Sequence, residues 1–227
     1  MQKIPADHTF YKRSRKKQNK ILLLIGLGAL GFNLLMLLIS IFTGWYLLVL
    51  FTFAISLSII APFFDTPQMV KNGKLTYFSS LFLAETERKA AIVIHGGTLF
   101  DYFFVIDRDL NGQQRTNLIL QKFIEGLLHL TSSYHSKDAG IRVKGTSYIL
   151  NERTLEKAGF TIVKTDVLQY VILIWNYFNL TLSLSLAKAK LTFPNLGRVV
   201  TFEAELSSLM DRRSYLESLN TRLTTVR

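Results

Sequence analysis

The forty-four residues between Lys20 and Asp65 contain no charged side chain. As a helix rising 1.5 Å per residue, they would extend roughly 66 Å, about two crossings of a ~30 Å hydrocarbon core. The break falls at Thr43-Gly44, with Ile21 to Phe42 as one apolar run and Trp45 to Phe64 as the second. The expected arrangement is a basic arm (1–20), a transmembrane hairpin (21–64, as 21–42 and 45–64) and a single C-terminal domain (65–227). A cleaved signal peptide does not fit. The first run of 22 residues exceeds a usual signal core, no small-x-small site follows it, and the second run begins at once.

Charge sets the expected orientation. Lys3, Lys12, Arg13, Arg15, Lys16, Lys17 and Lys20 precede the first run against a single Asp7, and Lys71 and Lys74 follow the second. Basic residues beside a span stay on the cytoplasmic side, so both termini are expected in the cytoplasm, and the expected membrane is the bacterial inner membrane. Of the net charge of +11, +6 belongs to residues 1–64 and +5 to residues 65–227. The arm is thus suited to a bilayer with anionic headgroups, at about 1 kcal/mol per basic residue near the surface. The chain has no nucleic-acid-binding motif and no basic stripe interleaved with aromatics, so nucleic acid is not an expected partner. The absence of cysteine excludes a thiol nucleophile, Cys-ligated zinc, iron–sulfur clusters and a disulfide framework.

The 163 residues after the hairpin are enough for one domain with its own core. Their pattern predicts a mixed α/β fold, with α+β as the variant. Asp65-Thr66-Pro67 closes the second span and Lys71-Asn72-Gly73-Lys74 is a turn. Ala90 to His95 and Leu99 to Ile106 read as strands. Leu118, Ile119, Phe123, Leu127 and Leu130 give an amphipathic helix over 115–133. Ile141 to Leu150 reads as a strand, Asn151 caps a short helix ending at Gly159, and Phe160 to Lys164 resumes as a strand.

Val167 to Ala187 holds twenty-one residues without charge, long enough for a third span. Gln169, Asn176 and Asn179 are costly in lipid, Leu180 to Leu186 alternates with period two, and a third span would export Lys188, Lys190, Arg198, Arg212 and Arg213. The expectation is a buried helix and then a strand to Phe193. Residues 197–223 read as an amphipathic C-terminal helix that packs on the domain or pairs with an unknown protein partner.

Candidate chemistry centres on a Gly-Gly turn. Ile94-His95-Gly96-Gly97-Thr98 resembles the oxyanion-hole strand end of α/β-hydrolases. Gly145-Thr146-Ser147-Tyr148, however, continues with Ile149 where the nucleophile elbow needs glycine, and no histidine follows His135, so the triad cannot be completed in that order. His95, Thr98 and Asp101 remain as candidate catalytic residues, with His95 as base and Asp101 as its orienter, if residues 90–95 and 99–106 are neighbouring strands. Asp107, Asp109 and Asn111 match the first half of a calcium loop, D-x-D-x-N-G. Its ninth position is Arg115 and its twelfth is Leu118, so half the ligands are missing, and a polar turn explains the run equally. No cofactor is implied. The expected function is a membrane-anchored interaction or regulatory module presenting a cytosolic α/β domain. The alternative is a membrane-bound enzyme acting on a membrane-associated substrate through His95 and Asp101.

Overall fold

A computed structural model describes residues 5–134 and 140–225; Lys3 and His135 lie outside the described residues. Two apolar helices come first, α1 (Arg15–Thr43) and α2 (Leu47–Lys71), and both are long and apolar enough to cross a membrane. Gly44 ends α1 at φ 72°, in the left-handed region that glycine adopts without steric penalty. α2 does not stop at Asp65-Thr66-Pro67 but continues for another turn to Lys71, carrying both Pro62 and Pro67 inside it. The expected turn then follows, with Gly73 at φ 71°.

The domain is a mixed α/β fold around a six-stranded sheet. In chain order its strands are β1 (Leu75–Ser79), β2 (Phe82–Glu85), β3 (Ala91–Gly96), β4 (Arg142–Ser147), β5 (Thr161–Val163) and β6 (Val200–Glu205). Their spatial order is β1-β2-β3-β4-β6-β5. Among the described residues only the β3–β4 pair is parallel. Its crossover holds α3 (Leu99–Val105) and α4 (Gly112–Ser132), as a parallel connection requires. α4 covers one face of the sheet, where Phe123, Ile124, Leu127 and Leu130 meet Phe82, Ile94, Val143 and Phe202. The outer positions of β4 and β6 are polar, with Arg142 opposite Glu205 and Lys144 opposite Glu203.

Three expectations are corrected. Leu99 to Ile106 is not a strand but α3, because Thr98 and Asp101 form a reciprocal capping box at its start. The run is apolar on every side, and periodicity cannot separate a buried strand from a buried helix. Leu180 to Phe193 holds no strand. Val167–Trp175 is α6, Tyr177–Lys188 is α7, and the two are bent by 74°. Leucine alternating with Ser and Thr sits in a helix here because the hydroxyls bond backward one turn, Thr181 to the Tyr177 carbonyl at 2.8 Å and Ser185 to the Thr181 carbonyl at 2.7 Å. Residues 197–223 are not one helix. Val200–Glu205 is β6, whose alternating burial serves the sheet, and helix begins only with α8 (Leu206–Asp211) and α9 (Arg213–Thr225). The expected helix between β4 and β5 is α5 (Glu152–Lys157), capped by Asn151. α9 lies on α4 with Leu216 buried in the core and Gln121 donating to Asn220 at 3.1 Å.

The N-terminal arm packs into the domain. Phe10 is buried with Phe63 of α2 and Phe100 and Phe104 of α3. Asp7 pairs with Lys122 at 2.9 Å and accepts from Ser80. His8 donates to Asp101 at 3.2 Å, and both residues are fully buried. Asp101 also accepts from the Tyr77 hydroxyl and from the amide and hydroxyl of Thr98 at 2.7 and 2.8 Å. Four donors satisfy a carboxylate that burial would otherwise penalise heavily. Asp101→Ala strands the buried His8 and Tyr77 donors and is expected to cost about 3–5 kcal/mol. The check is the thermal midpoint of the detergent-solubilised protein.

Candidate functional site

His95 and Asp101 are not brought together. Because residues 99–105 coil into α3, Asp101 turns inward beneath the arm, and its partners are His8, Tyr77 and Thr98. His95 instead faces Glu85 across the antiparallel β2–β3 pair. Leu83 stands directly opposite His95, and Glu85, two residues on, occupies the same face as its diagonal neighbour. The His95 Nε2 to Glu85 Oε1 distance is 3.0 Å, with the side chains 44% and 37% exposed. The hydrogen bond from His95 holds the Glu85 carboxyl below its ordinary range. Burial opposes this, while the charges of His95, Arg88 and Lys144 reinforce it. Thr98 caps α3 and contributes no group to the imidazole.

His95, Gly96, Gly97 and Thr98 line a cavity of about 420 Å³ at the carboxyl end of the parallel β3–β4 pair. This is where open α/β sheets place ligands, and the volume falls in the roughly 300–1,000 Å³ range of small-molecule sites. Other elements help close it: Pro62, Thr66 and Met69 from α2, Ser147 at the end of β4 with Tyr148 to Leu150 after it, Leu173 from α6, and Asn179, Leu180 and Ser183 from α7. Gly97 is required for space, since a Cβ there would lie 2.7 Å from the Tyr102 ring and 2.9 Å from Leu81.

A polar seam crosses this otherwise apolar wall. Pro62 has no N–H to give the Ser58 carbonyl one turn earlier, and the Asn179 side-chain amide takes its place at 3.0 Å. Ser183 donates to Asn179 Oδ1 at 3.3 Å, and Tyr102 and Tyr148 line the cavity with it. Burial raises both tyrosines above their ordinary range. Neither this seam nor Glu85 emerges from sequence reasoning. The available signal was Asn179 and Ser183 at i and i+4 in an uncharged segment.

Asp107, Asp109 and Asn111 do not converge. Asn111 caps α4, accepting from the amides of Gln113 and Gln114, and Asp107 accepts from the Asp109 amide at 3.1 Å. The buried Arg115 guanidinium fills the loop, donating to the carbonyls of Leu110 at 2.8 Å, Arg108 at 2.6 Å and Leu186 at 2.9 Å. Among the described residues no group of three or more His, Asp or Glu side chains could hold a metal ion. No known protein family, curated protein or solved structure matches this chain.

Two outcomes are expected. Asn179→Leu orphans the Ser58 carbonyl and costs about 1–3 kcal/mol, and the loss shrinks in a Pro62→Leu background that restores the helical N–H; a double-mutant cycle of thermal midpoints reads this. His95→Ala lets the Glu85 carboxyl rise toward its ordinary value of 4.5, followed by carboxyl-carbon NMR titration. The sign follows from the lowered carboxyl. The pair's contribution is present above the ordinary carboxylate range and fades as pH falls through the lowered value.

Proposed function

We propose that the chain is a membrane-anchored binding and regulatory module. It holds its α/β domain against the cytoplasmic face and takes an amphiphile, an apolar chain with a small polar head, into the cavity at the end of β3 and β4. The observation that carries this reading is the shared wall, since Pro62, Thr66 and Met69 of an apolar hairpin helix bound the same cavity as His95 and Thr98 of the sheet. An apolar chain suits the leucine-lined interior, and a polar head suits either the half-exposed His95–Glu85 pair or the tyrosine–serine seam. The exposed Lys12, Arg13, Arg15, Lys16 and Lys17 support a cytoplasmic, anionic surface beside the domain. A protein partner reading the domain would have to meet surfaces other than the Leu216 face of α9, which α4 occupies.

A second reading keeps the enzyme. His95, oriented by Glu85 in place of Asp101, would serve as base toward a membrane-associated substrate in the same cavity, on the strength of the 3.0 Å contact.

Mass spectrometry of gently solubilised protein should find one chain-bearing amphiphile retained per molecule. Ile149→Trp, which fills the cavity, should lower that occupancy about tenfold or more. Wild-type protein that retains no amphiphile from native membranes overturns the reading. A folded His95→Ala variant that keeps both ligand and cellular phenotype argues for binding alone; loss of phenotype with ligand retained argues for chemistry. Reporters fused after residues 43, 90 and 227 should mark only position 43 as external.

A further inference from the structure

The segment from α6 to α7 has an unusual surface for a helix attached to a soluble domain. α6 is almost wholly apolar, and Leu173 is its one buried residue. Val167 is 79% exposed and Trp175 67%, with Leu168, Val171 and Ile174 also outward. At nine and twelve residues, α6 and α7 rise roughly 14 and 18 Å, so neither crosses a ~30 Å core alone.

Contacts with α2 fix the depth of the bend between them. The Ser58 hydroxyl donates to the Trp175 carbonyl at 3.4 Å, and Asn179 donates to the Ser58 carbonyl. The Phe178 ring meets that of Phe51, 6.3 Å between centroids. Ser58 lies seven residues before Asp65, about 10 Å inward along the helix, and Phe51 lies roughly 20 Å inward. The bend therefore sits near the middle of the bilayer that α2 would cross. Both ends of the segment are nevertheless anchored in the domain. Asp166 caps α6 just after β5, while Ala187 is buried with Tyr102 and Ile119. At the same end, Arg115 bonds the Leu186 carbonyl.

We infer that α6 and α7 form a re-entrant wedge, entering the cytoplasmic leaflet, turning at Asn176 near mid-bilayer and returning on the same side, with lipid acyl chains covering the exposed face of α6. The inference rests on the hairpin reading of α1 and α2 and goes beyond the proposed ligand. Its occupant follows from continuity, because the exposed face of α6 extends the apolar surface of α2 at the same depth. Backbone polar groups at that depth need protein partners. The wedge meets this at its bend, where Asn176 donates back to the Ile172 carbonyl and Asn179 to Ser58. Leu173, Asn179 and Leu180 also wall the cavity, so a ligand reaching it from the leaflet would pass along the wedge.

The test uses the chain's two tryptophans. Trp45 sits exposed at the hairpin tip, so Trp45→Phe leaves Trp175 as the sole indole with little structural cost. The full-length variant is reconstituted into phosphatidylcholine vesicles brominated near the middle of the acyl chain. Emission should fall about twofold or more, as for an indole within hydrocarbon, with protection from aqueous acrylamide. Quenching by acrylamide and not by the brominated lipid overturns the wedge, as does an indole that neither quencher reaches. An external reporter at position 227 with internal reporters at 90 and 165 overturns it in favour of a full crossing. Each outcome is independent of whether the cavity holds an amphiphile.

Discussion

The Asp101 carboxylate is the point on which the arrangement turns. Among the described residues it makes no ion pair with a lysine or arginine, so its stability depends on donors brought from three separate places: His8 from the arm, Tyr77 from β1 and Thr98 from the cap of α3. Satisfying it binds the arm to the sheet edge and fixes α3 as a helix at the same time. Burial and the facing carboxylate push the Tyr77 hydroxyl well above its ordinary range, keeping it a donor throughout the physiological range. Since α1 and α2 lie between the arm and β1 in sequence, the same contact places both ends of the hairpin on one side.

A second device couples the apolar helices to the cavity. Pro62 removes one helical hydrogen bond from α2, and α7 supplies the replacement through Asn179, whose amide oxygen then accepts from Ser183. A helix break is thereby converted into an attachment point. The cavity wall inherits fixed polar groups from it, at the level where the domain meets the hairpin.

Local patterns were legible in the sequence and distant partnerships were not. The hairpin, α4 with its 3.6-residue period, β3, and the Asn151-capped α5 leading to β5 follow from charge, periodicity and caps within a few residues. His95 is legible as a polar position near a strand end. Its partner Glu85 lies on a strand too short to announce itself, and Asp101 finds His8 ninety-three residues away. Val199, Phe202 and Leu206 also satisfy helical spacing, so only pairing with β4 and β5 decides for the strand β6. α3 and α7 escaped because uniformly buried runs, or leucine alternating with hydroxyl residues, carry no period that separates helix from strand.

The position of β6 in the sheet has a consequence for how the chain is made. β6 lies between β4 and β5, yet it is translated after both of them. Until Glu205 has left the ribosome, β4 keeps an unpaired edge and β5 has no neighbour. The arm, made before α1 and α2, waits for Tyr77 and Asp101 to follow them. Folding of the domain therefore waits on two segments far apart in the sequence: the arm before the hairpin and β6 after β5 close the same fold, and a chain interrupted before β6 exposes an aggregation-prone strand edge.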